Sequence, residues 1–494
     1  MKKILYIYLI SGIVFTSCDD FLDVEPETAT TPEIALDTET DIVSALHGAY
    51  SILNDDGYAM EYNVIGSVAT DDGKIPSDRE AAGAARDRIP HAYTLDLNEQ
   101  TTTVELWLDA YQVIAGVNNI MARLDAVEFE QSFEDRIKAE CLSLRALMHF
   151  SLTQIFAQDY NFTGDQSHLA VPYMTVTDPG SAPARNTMAE VYTALFADIN
   201  EALSLFTSAG DDALSAYRGG SSIYFMSYDA ALGLRAKMSF YRTDYASALA
   251  DADELLAAGY TLEPTYTTGT YDNDGEVGTF VDQWYSLAPV LESEAIFQLD
   301  VDSDDGSFAN RSLIDIYTAN NGNAAHAVSD DLIDLYEPGD ARLAWYHDEN
   351  ATLAPDLHVF KYPGGLGINA DAHHFPVMRL TEFQLMAAEI QARNGNDGVA
   401  QALLLPITNR AGASPITSSG NDLVEDIITE RRKELAFEGS RLYDLKRLQR
   451  GFVRNDCLLT NGNCIVDYPT NLYAWPIPVA ELNGNDNLVQ NTGF

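Results

Sequence analysis

Apolar residues recur with the 3.6-residue spacing of an amphipathic helix over most of this chain, and no other feature limits its fold as strongly. Ile137, Cys141, Leu144 and Met148 share one helical face, and the stretch 104–117 repeats the pattern. Further stretches of this kind are 42–53, 188–206, 228–241, 245–258, 380–393 and 423–449. The spacing predicts a mostly α-helical protein, because the strands of a sheet would alternate with a period of two.

Two neighbouring helical stretches, 228–241 and 245–258, form the clearest pair. Small residues such as Ala231 and Ala248 lie on their apolar faces, and a short turn joins them. Small side chains let two antiparallel helices approach closely, and the pair resembles one tetratricopeptide unit of roughly 34 residues. Because the other helices lack a clean period, we expect degenerate tetratricopeptide-like pairs.

Three insertions rich in Gly, Asp, Asn and Tyr interrupt the helical pattern, at 55–98, 261–323 and 346–375. Connections of this length usually have a function or are disordered. The alternating apolar pattern at 295–301 predicts a short strand within the second insertion. We therefore predict one domain over 41–494, built from a helical scaffold with long irregular loops and a few short strands.

The N-terminus has the order of charges and apolar residues found in an exported lipoprotein. Lysines precede an apolar run at 4–15, which is too short to span a bilayer, and small residues then lead to Cys18. This arrangement resembles a lipobox, whose cysteine receives a lipid. It predicts a signal peptide at 1–17, a lipid on Cys18 and a tether at 18–40.

The formal charge of −46 argues against nucleic acid as a partner, because nucleic-acid binders neutralise phosphates with basic patches. The same acidity disfavours polyanionic ligands unless a local basic cleft overrides it.

Cys457 and Cys464 flank an Asn-Gly-Asn turn. In an exported chain this spacing predicts a local disulfide, whereas a zinc site would need a second pair of ligands.

We predict no cofactor and no metal. Asp300, Asp302 and Asp304 resemble the start of a calcium loop, but Gly306 comes one residue late. Arg311 occupies the position that a bidentate glutamate would take. A structural calcium ion is therefore the less favoured alternative.

A series of short motifs, in a fixed order along the chain, is similar to that of the SusD/RagB-like nutrient-uptake lipoproteins of Bacteroidetes. The motifs are Arg145-Ala146, Arg379-Leu380, Glu430-Arg431-Arg432, Glu434-Leu435-Ala436-Phe437-Glu438-Gly439, Arg441, Asp444-Leu445, Trp475-Pro476-Ile477-Pro478 and Gln490-Asn491-Thr492-Gly493-Phe494. Lys446 stands where arginine is common. The resemblance covers essentially the whole mature chain.

The resemblance implies a SusD-like helical fold and a surface-exposed, lipid-anchored place on the cell outer membrane. It implies a SusC-like TonB-dependent transporter barrel as partner and a glycan as ligand, with no catalysis. A peptide ligand, as in the RagB kind, is an alternative. A helical-repeat scaffold that binds only proteins is another.

Sugars need aromatic rings for their C–H faces and planar polar groups for their hydroxyls. The resemblance assigns ligand contacts to the first two insertions without naming residues. The candidates there are Asp71, Asp72, Tyr93, Asn98, Tyr271, Trp284 and Tyr285. For each ring, packing over the edge of the core is the alternative.

A cluster of charged residues near the C-terminus might be mistaken for a glycosidase site, which needs two carboxylates. Here carboxylates alternate with arginines at three- and four-residue steps, a spacing that stabilises a helix through ion pairs. We therefore interpret these motif residues as structural: Arg145, Glu430, Arg431, Glu434, Phe437, Glu438, Arg441 and Asp444. An all-helical glycoside hydrolase, the less favoured alternative, would need two carboxylates that no arginine pairs.

Overall fold

The structure is a computed structural model. It describes residues 36–54, 56–75, 95, 105–210, 212–218, 222–273, 276–284, 291, 293–299, 313–317, 326–347, 356–362, 374–457 and 463–494.

Helices dominate the described part of the chain, which confirms the predicted mostly α fold. The α-helices are α1 (Glu39–Leu53), α2 (Asn63–Val68), α3 (Glu105–Leu124), α4 (Gln131–Phe156), α5 (Met188–Ala209), α6 (Tyr228–Tyr241), α7 (Tyr245–Ala257), α8 (Leu313–Tyr317), α9 (Asp330–Ile333), α10 (Leu380–Arg393), α11 (Asp397–Ala411), α12 (Gly420–Glu434), α13 (Arg441–Arg447) and α14 (Val479–Gly484). A π-helix (Asp56–Tyr62) precedes α2, and short 3-10 helices lie at Ser222–Tyr224, Asp282–Trp284, Ala341–Trp345 and Asn471–Tyr473. None of the described helices is both long and apolar enough to cross a membrane.

Short strands lie mainly between the helices. They are β1 (Gly73–Lys74), β2 (Thr268–Asn273), β3 (Glu276–Val281), β4 (Ala295–Leu299), β5 (Ala327–Val328), β6 (Tyr346–His347), β7 (His358–Val359), β8 (Phe375–Arg379), β9 (Phe452–Val453) and β10 (Ile465–Val466). Strand β4 lies where the alternating pattern predicts a strand, and it pairs with β8 in antiparallel register.

Local signals set several helix boundaries. Thr38 and Thr187 each accept a hydrogen bond from a backbone N–H of the first turn, and acidic side chains complete capping boxes at α1 and α5. Helix α11 ends at Gly412, whose φ of 71° is the left-handed conformation that glycine adopts without strain.

The scaffold consists of packed helix pairs. Helix α4 packs against α3 and α5, and its residues from 139 to 156 are all buried. Helices α6 and α7 pack against each other at the positions predicted for the tetratricopeptide-like pair. A second apolar core joins α10, α11 and α12 through residues such as Leu385, Leu404 and Ile427.

The end of α4 is capped by the C-terminal part of the chain. Lys446 donates to the carbonyl oxygens of Gln154 and Ala157, and the Trp475 N–H donates to that of Ile155. The Asn491 amide donates to the carbonyl oxygen of the last helical residue, Phe156. The C-terminal motif thus satisfies carbonyl groups that a helix end leaves without partners.

The sequence pattern predicts one continuous helix over 423–449, and this prediction is wrong. The chain leaves helical geometry after Glu434 and resumes it at Arg441. In the intervening turn Phe437 and Gly439 have φ values of 61° and 78°, which a right-handed helix does not allow. Hydrogen bonds from Asn63 on α2 and from Tyr362 to the Phe437 carbonyl hold this turn in place.

Candidate functional site

Buried ion pairs surround the charged motif on α12 and α13. We call this cluster the arginine network; its basic members are Arg342, Arg379, Arg410, Arg431, Arg432, Arg441 and Arg447, and its acidic members are Asp71, Asp72, Glu294, Asp340, Glu382, Glu389, Glu430, Glu434, Glu438 and Asp444. The network ties α10, α11, α12 and α13 to earlier segments of the chain, around residues 71, 294 and 340.

Glu434 lies at the centre of the network. Its carboxylate accepts hydrogen bonds from Arg410 at 2.6 Å, Arg342 at 3.0 Å and Arg379 at 3.1 Å, and Tyr266 donates a fourth at 2.9 Å. Burial favours the neutral acid, but the three guanidinium charges outweigh it and hold the pKa of Glu434 well below its usual range. A carboxylate held in this way remains ionised and cannot serve as a general acid.

The other motif residues are also engaged in structural contacts. Arg431 pairs with Asp444 at 2.8 Å and with Glu382 at 3.1 Å. Outside the arginine network, Arg145 forms a bidentate pair with Asp198 at 2.7 Å, which joins α4 to α5. These contacts support the structural interpretation of the motif.

The turn at Phe437 and Gly439 fastens the first insertion to the network. The Phe437 carbonyl accepts from the Asn63 amide and from the Tyr362 hydroxyl, each at 2.8 Å. Helix α2 crosses the turn so closely that a Cβ atom on Gly66 would lie 2.2 Å from the carbonyl oxygen of Gly439. Only glycine fits at this crossing.

Asp71 and Asp72, predicted as ligand contacts, instead anchor the first insertion. Arg441 holds Asp71 with two bonds of 2.9 Å, and the Arg432 Nε lies 2.7 Å from Asp72. Both aspartates are more than nine-tenths buried. This corrects the prediction, because carboxylates buried against arginines are not free to bind a sugar hydroxyl.

Trp284, predicted as an aromatic contact, is also corrected. Its side chain is fully buried and meets Trp345 edge to face, with ring centroids 5.9 Å apart. The ammonium group of Lys361 lies 4.6 Å from the Trp284 ring and 4.1 Å from the Trp345 ring. The ring therefore covers a buried cation and is not exposed to a ligand.

Lys361 binds the end of α12. It donates to the carbonyl oxygens of Glu434 and Ala436 at 2.9 Å and to the Glu438 carboxylate at 2.6 Å. Burial lowers the pKa of Lys361 to about 8. The third insertion is thereby fixed to the same turn as the first.

Strands from the first and third predicted insertions, with β5 between them, form one small sheet of order β1-β5-β7-β6, which we call the junction sheet. Gly73 pairs with Val328, Ala327 pairs with His358, and Tyr346 pairs with Val359. The junction sheet thus brings together parts of the chain that are up to 286 residues apart, between Gly73 and Val359.

Lys74, the last residue of β1, fastens this sheet to the C-terminal hairpin. Its ammonium group lies 2.9 Å from Asp330, 3.1 Å from Asp356 and 3.4 Å from Asp456. The hairpin β9–β10 next to Asp456 is closed by a disulfide between Cys457 and Cys464, whose Cα atoms are 5.5 Å apart. The predicted cysteine pair therefore stabilises a segment that contacts the junction sheet.

Of the remaining predicted site residues, the structure describes only Tyr271. Cys18, Tyr93, Asn98 and Tyr285 lie outside the described residues, as do the aspartates at 300, 302 and 304. Tyr271 lies on β2, opposite Gly278 in β3. Within the described ranges, no group of three His, Cys, Asp or Glu side chains is arranged to hold a metal ion.

A cavity of about 480 Å³, measured to its open mouth, lies between the π-helix, α6, β8 and the turn. Its walls include the rings of Tyr58, Tyr62 and Tyr443 and two carboxylates, Glu382 and Glu438. Glu382 pairs with Lys237 and Arg431, and Glu438 pairs with Lys361 and Arg379. Both carboxylates of this cavity are therefore held by cations.

Comparison with known proteins shows which family the chain resembles. One family model, described as the SusD family, matches residues 353–494, and a second, described as starch-binding associating with outer membrane, matches residues 20–217. Two SusD-like proteins of Formosa agariphila are 22% and 24% identical to the chain, over 99% and 100% of its length and the same shares of theirs. The chain belongs to the SusD/RagB-like family.

Solved structures share the SusD-like fold. A SusD superfamily protein from Bacteroides vulgatus gives a TM-score of 0.77 at 22% identity, covering 92% of this chain and 99% of its own. A laminarin-binding SusD-like protein gives 0.71 at 22% identity, with coverage of 92% and 99%. Surface glycan-binding protein A from Bacteroides thetaiotaomicron gives 0.70 at 19% identity, with coverage of 93% and 100%. The predicted SusD-like helical fold is therefore confirmed.

In this SusD-like chain, several residues that build the site escape sequence reasoning. Arg342, Lys74 and Lys361 lie outside the predicted helical stretches, and so does Arg410, although the structure places it on α11. One signal was available for Lys361, because it stands between Phe360 and Tyr362 in an aromatic stretch. A charged residue in such surroundings indicates burial with a partner.

Proposed function

We propose that this SusD-like protein is a non-catalytic surface lipoprotein of the outer membrane that binds a glycan. It would deliver the glycan to a SusC-like TonB-dependent transporter. Family membership supports the proposal, and one relative of the same fold is described as laminarin-binding. The description of the second family model, starch-binding associating with outer membrane, fits both the ligand and the location.

The observation that carries the proposal is the junction sheet, which holds the first and third insertions together at one place on the helical scaffold. A ligand surface whose loops are held in advance loses less conformational entropy on binding. Tyr93, Asn98, Tyr271 and Tyr285 remain our candidates for direct ligand contacts.

The carboxylates support binding without catalysis. A glycosidase needs one carboxyl group that carries a proton and a second that acts on the sugar or on water. Glu382, Glu434 and Glu438 are each held by at least two basic side chains. For Glu434 and Glu438 the neighbouring cations outweigh burial and lower the pKa, which keeps these two carboxylates ionised.

The proposal includes the division of the chain into a signal peptide at 1–17, a tether at 18–40 and one SusD-like domain at 41–494. A lipid on Cys18 would hold the protein at the membrane, because two or more acyl chains give stable anchoring. Purification of the lipidated chain from membranes should bring a large β-barrel partner with it. Full membrane attachment of a Cys18→Ser variant would contradict the lipid anchor.

Isothermal titration of the chain from residue 19 onward, which lacks the lipid, tests the ligand. We expect heat with at least one neutral oligosaccharide and no release of reducing sugar. Tyr93→Ala or Tyr285→Ala should weaken this binding about tenfold or more, since an aromatic ring contributes roughly 1–3 kcal/mol of contact energy. Tyr228→Ala, at the start of α6 and outside the insertions, is the control and should leave affinity unchanged.

A panel of oligosaccharides and peptides separates the alternatives. Heat with peptides alone would replace the glycan by a peptide ligand, and reducing-sugar release by the pure protein would contradict the non-catalytic role. Absence of heat with every ligand would contradict binding altogether.

A further inference from the structure

A second cavity lies among the helix pairs. No described residue of the predicted insertions lines it, and Arg447 is its one wall residue from the arginine network. We call it the Gln154 cavity. It lies between the end of α4, the start of α5 and α13, and its walls are Thr153, Gln154, Gln158, Asp159, Tyr160, Met188, Tyr192, Tyr241, Tyr443, Lys446 and Arg447. Its volume is about 310 Å³ measured to the open mouth. The enclosed part has room for roughly two water-sized groups.

Two side-chain amides present unused polar atoms. The Gln154 oxygen accepts from the Tyr62 hydroxyl, and the Gln158 nitrogen donates to the Thr470 carbonyl at 2.8 Å. These bonds occupy one end of each amide. The Gln154 nitrogen and the Gln158 oxygen are buried and have no hydrogen-bond partner among the described residues. Gln154 itself is 93% buried, since its relative exposure is 7%.

Two residues that line one cavity thus carry a buried donor and a buried acceptor without partners in the described part of the chain, which favours an occupant that can both accept and donate a hydrogen bond. Each unsatisfied group costs roughly 1–3 kcal/mol, so the site favours a group that satisfies both. A hydroxyl can accept from the Gln154 nitrogen and donate to the Gln158 oxygen at once. A carboxylate cannot donate, and an ammonium group cannot accept.

The mouth of the cavity adds an aromatic wall. Tyr160 is half-buried, and its ring meets the buried ring of Tyr192, with centroids 4.6 Å apart and planes 62° apart. A half-buried aromatic ring beside a narrow polar recess suits a ligand with an apolar C–H face and a short hydroxylated arm.

We propose that the Gln154 cavity binds the hydroxymethyl arm of a hexopyranose residue, with the sugar ring against Tyr160. The arm consists of one carbon and one oxygen, which matches the enclosed space. Its hydroxyl pairs with Gln154 and Gln158. This site is separate from the insertions and does not rest on the function proposed above.

Ligand-observed NMR titration of the unlipidated chain tests the proposal with two probes. Methyl glucopyranoside carries the hydroxymethyl arm, and methyl xylopyranoside lacks it. We expect the xyloside to bind about tenfold more weakly, because Gln154 and Gln158 stay unpaired in its complex.

Variants show whether the binding belongs to this cavity. Gln158→Leu should weaken glucoside binding about tenfold while leaving the thermal unfolding temperature near that of the parent. Gln401→Leu is the matched control, because Gln401 is also half-buried and its nitrogen donates to a backbone carbonyl, that of Ser418, at 2.8 Å. It should leave glucoside binding unchanged.

Crystals soaked in methyl glucopyranoside complete the test. Density for the arm between Gln154 and Gln158 would support the proposal. Water alone in the cavity, equal affinity for the two sugars, or affinity unaffected by Gln158→Leu would overturn it. If the glucoside instead binds at the insertions, Gln158→Leu would leave its affinity unchanged, and that result would count against this cavity as the site.

Discussion

Helices α6 and α7 pack through small apolar residues, whereas α12 and α13 pack through buried arginine–carboxylate pairs. Ala231, Ala248 and Ala252 are fully buried in the first region. In the second, Arg342 and Glu434 have no exposed side-chain surface at all. Apolar packing is tolerant of small changes in position, but bidentate ion pairs require defined partners at defined distances. The charged region can therefore fix distant segments in one arrangement.

This difference matches what each region contacts. The helix pair packs on neighbouring helices, while the arginine network holds Asp71 and Asp72 of the first insertion and Lys361 of the third. A buried ion pair adds little net stability compared with apolar residues of the same shape. We infer that the charged region is retained because it specifies where the insertions begin and end.

Removing one partner from the network should have the largest effect. Arg342→Met leaves Asp340, Glu430 and Glu434 without one of their cations, so we expect a loss of about 3–5 kcal/mol in the free energy of unfolding. Chemical denaturation measures it. Arg235→Met is the matched control in the helix pair, where Arg235 bonds Asp251 but remains 26% exposed. It should cost about 0–1 kcal/mol, and equal costs for the two variants would remove the distinction between the regions.

An apolar truncation in the helix pair should cost about 2–4 kcal/mol. Leu234 on α6 is fully buried, so Leu234→Ala leaves a cavity in its core. Because no charged group is removed, the loss should be the same at neutral and at mildly acidic pH. Denaturation at both pH values checks this, and a strong pH dependence would show that the helix pair also relies on ionised groups.

Acid should destabilise the charged region selectively. The loss in the free energy of unfolding should be smaller than for the substitutions above and should grow as the pH falls. Arginine charges outweigh burial and lower the pKa values of Glu430, Glu434, Glu438 and Asp444. Their stabilisation is complete above the pKa of an unfolded glutamate, about 4.3, and is lost as the pH falls through the lower folded values.

Glu434→Gln should therefore be less stable than the parent at neutral pH but lose less stability between about pH 5 and about pH 3. Urea denaturation across this range gives both slopes. Parallel slopes for parent and variant would indicate that Glu434 is not a source of the acid sensitivity.

The sequence predicted the helix pair well because helical periodicity and small-residue spacing are local properties. The break between α12 and α13 was missed, because the Phe437 turn is held by Asn63, which is 374 residues away in the chain. For Asp71 and Asp72 the insertion was identified but the role was wrong, since their arginine partners lie 360 and 370 residues away. Trp284 was misplaced for the same reason: only the folded chain brings Lys361 beneath its ring.

Hydrogen–deuterium exchange of a double variant, Arg432→Met with Arg441→Met, tests most directly whether the arginine network anchors the insertions. These two arginines hold Asp71 and Asp72. We expect faster exchange of the amides at 68–74, with α6 and α7 exchanging as in the parent. Unchanged protection at 68–74, or an equal loss of protection in α6 and α7, would contradict the account.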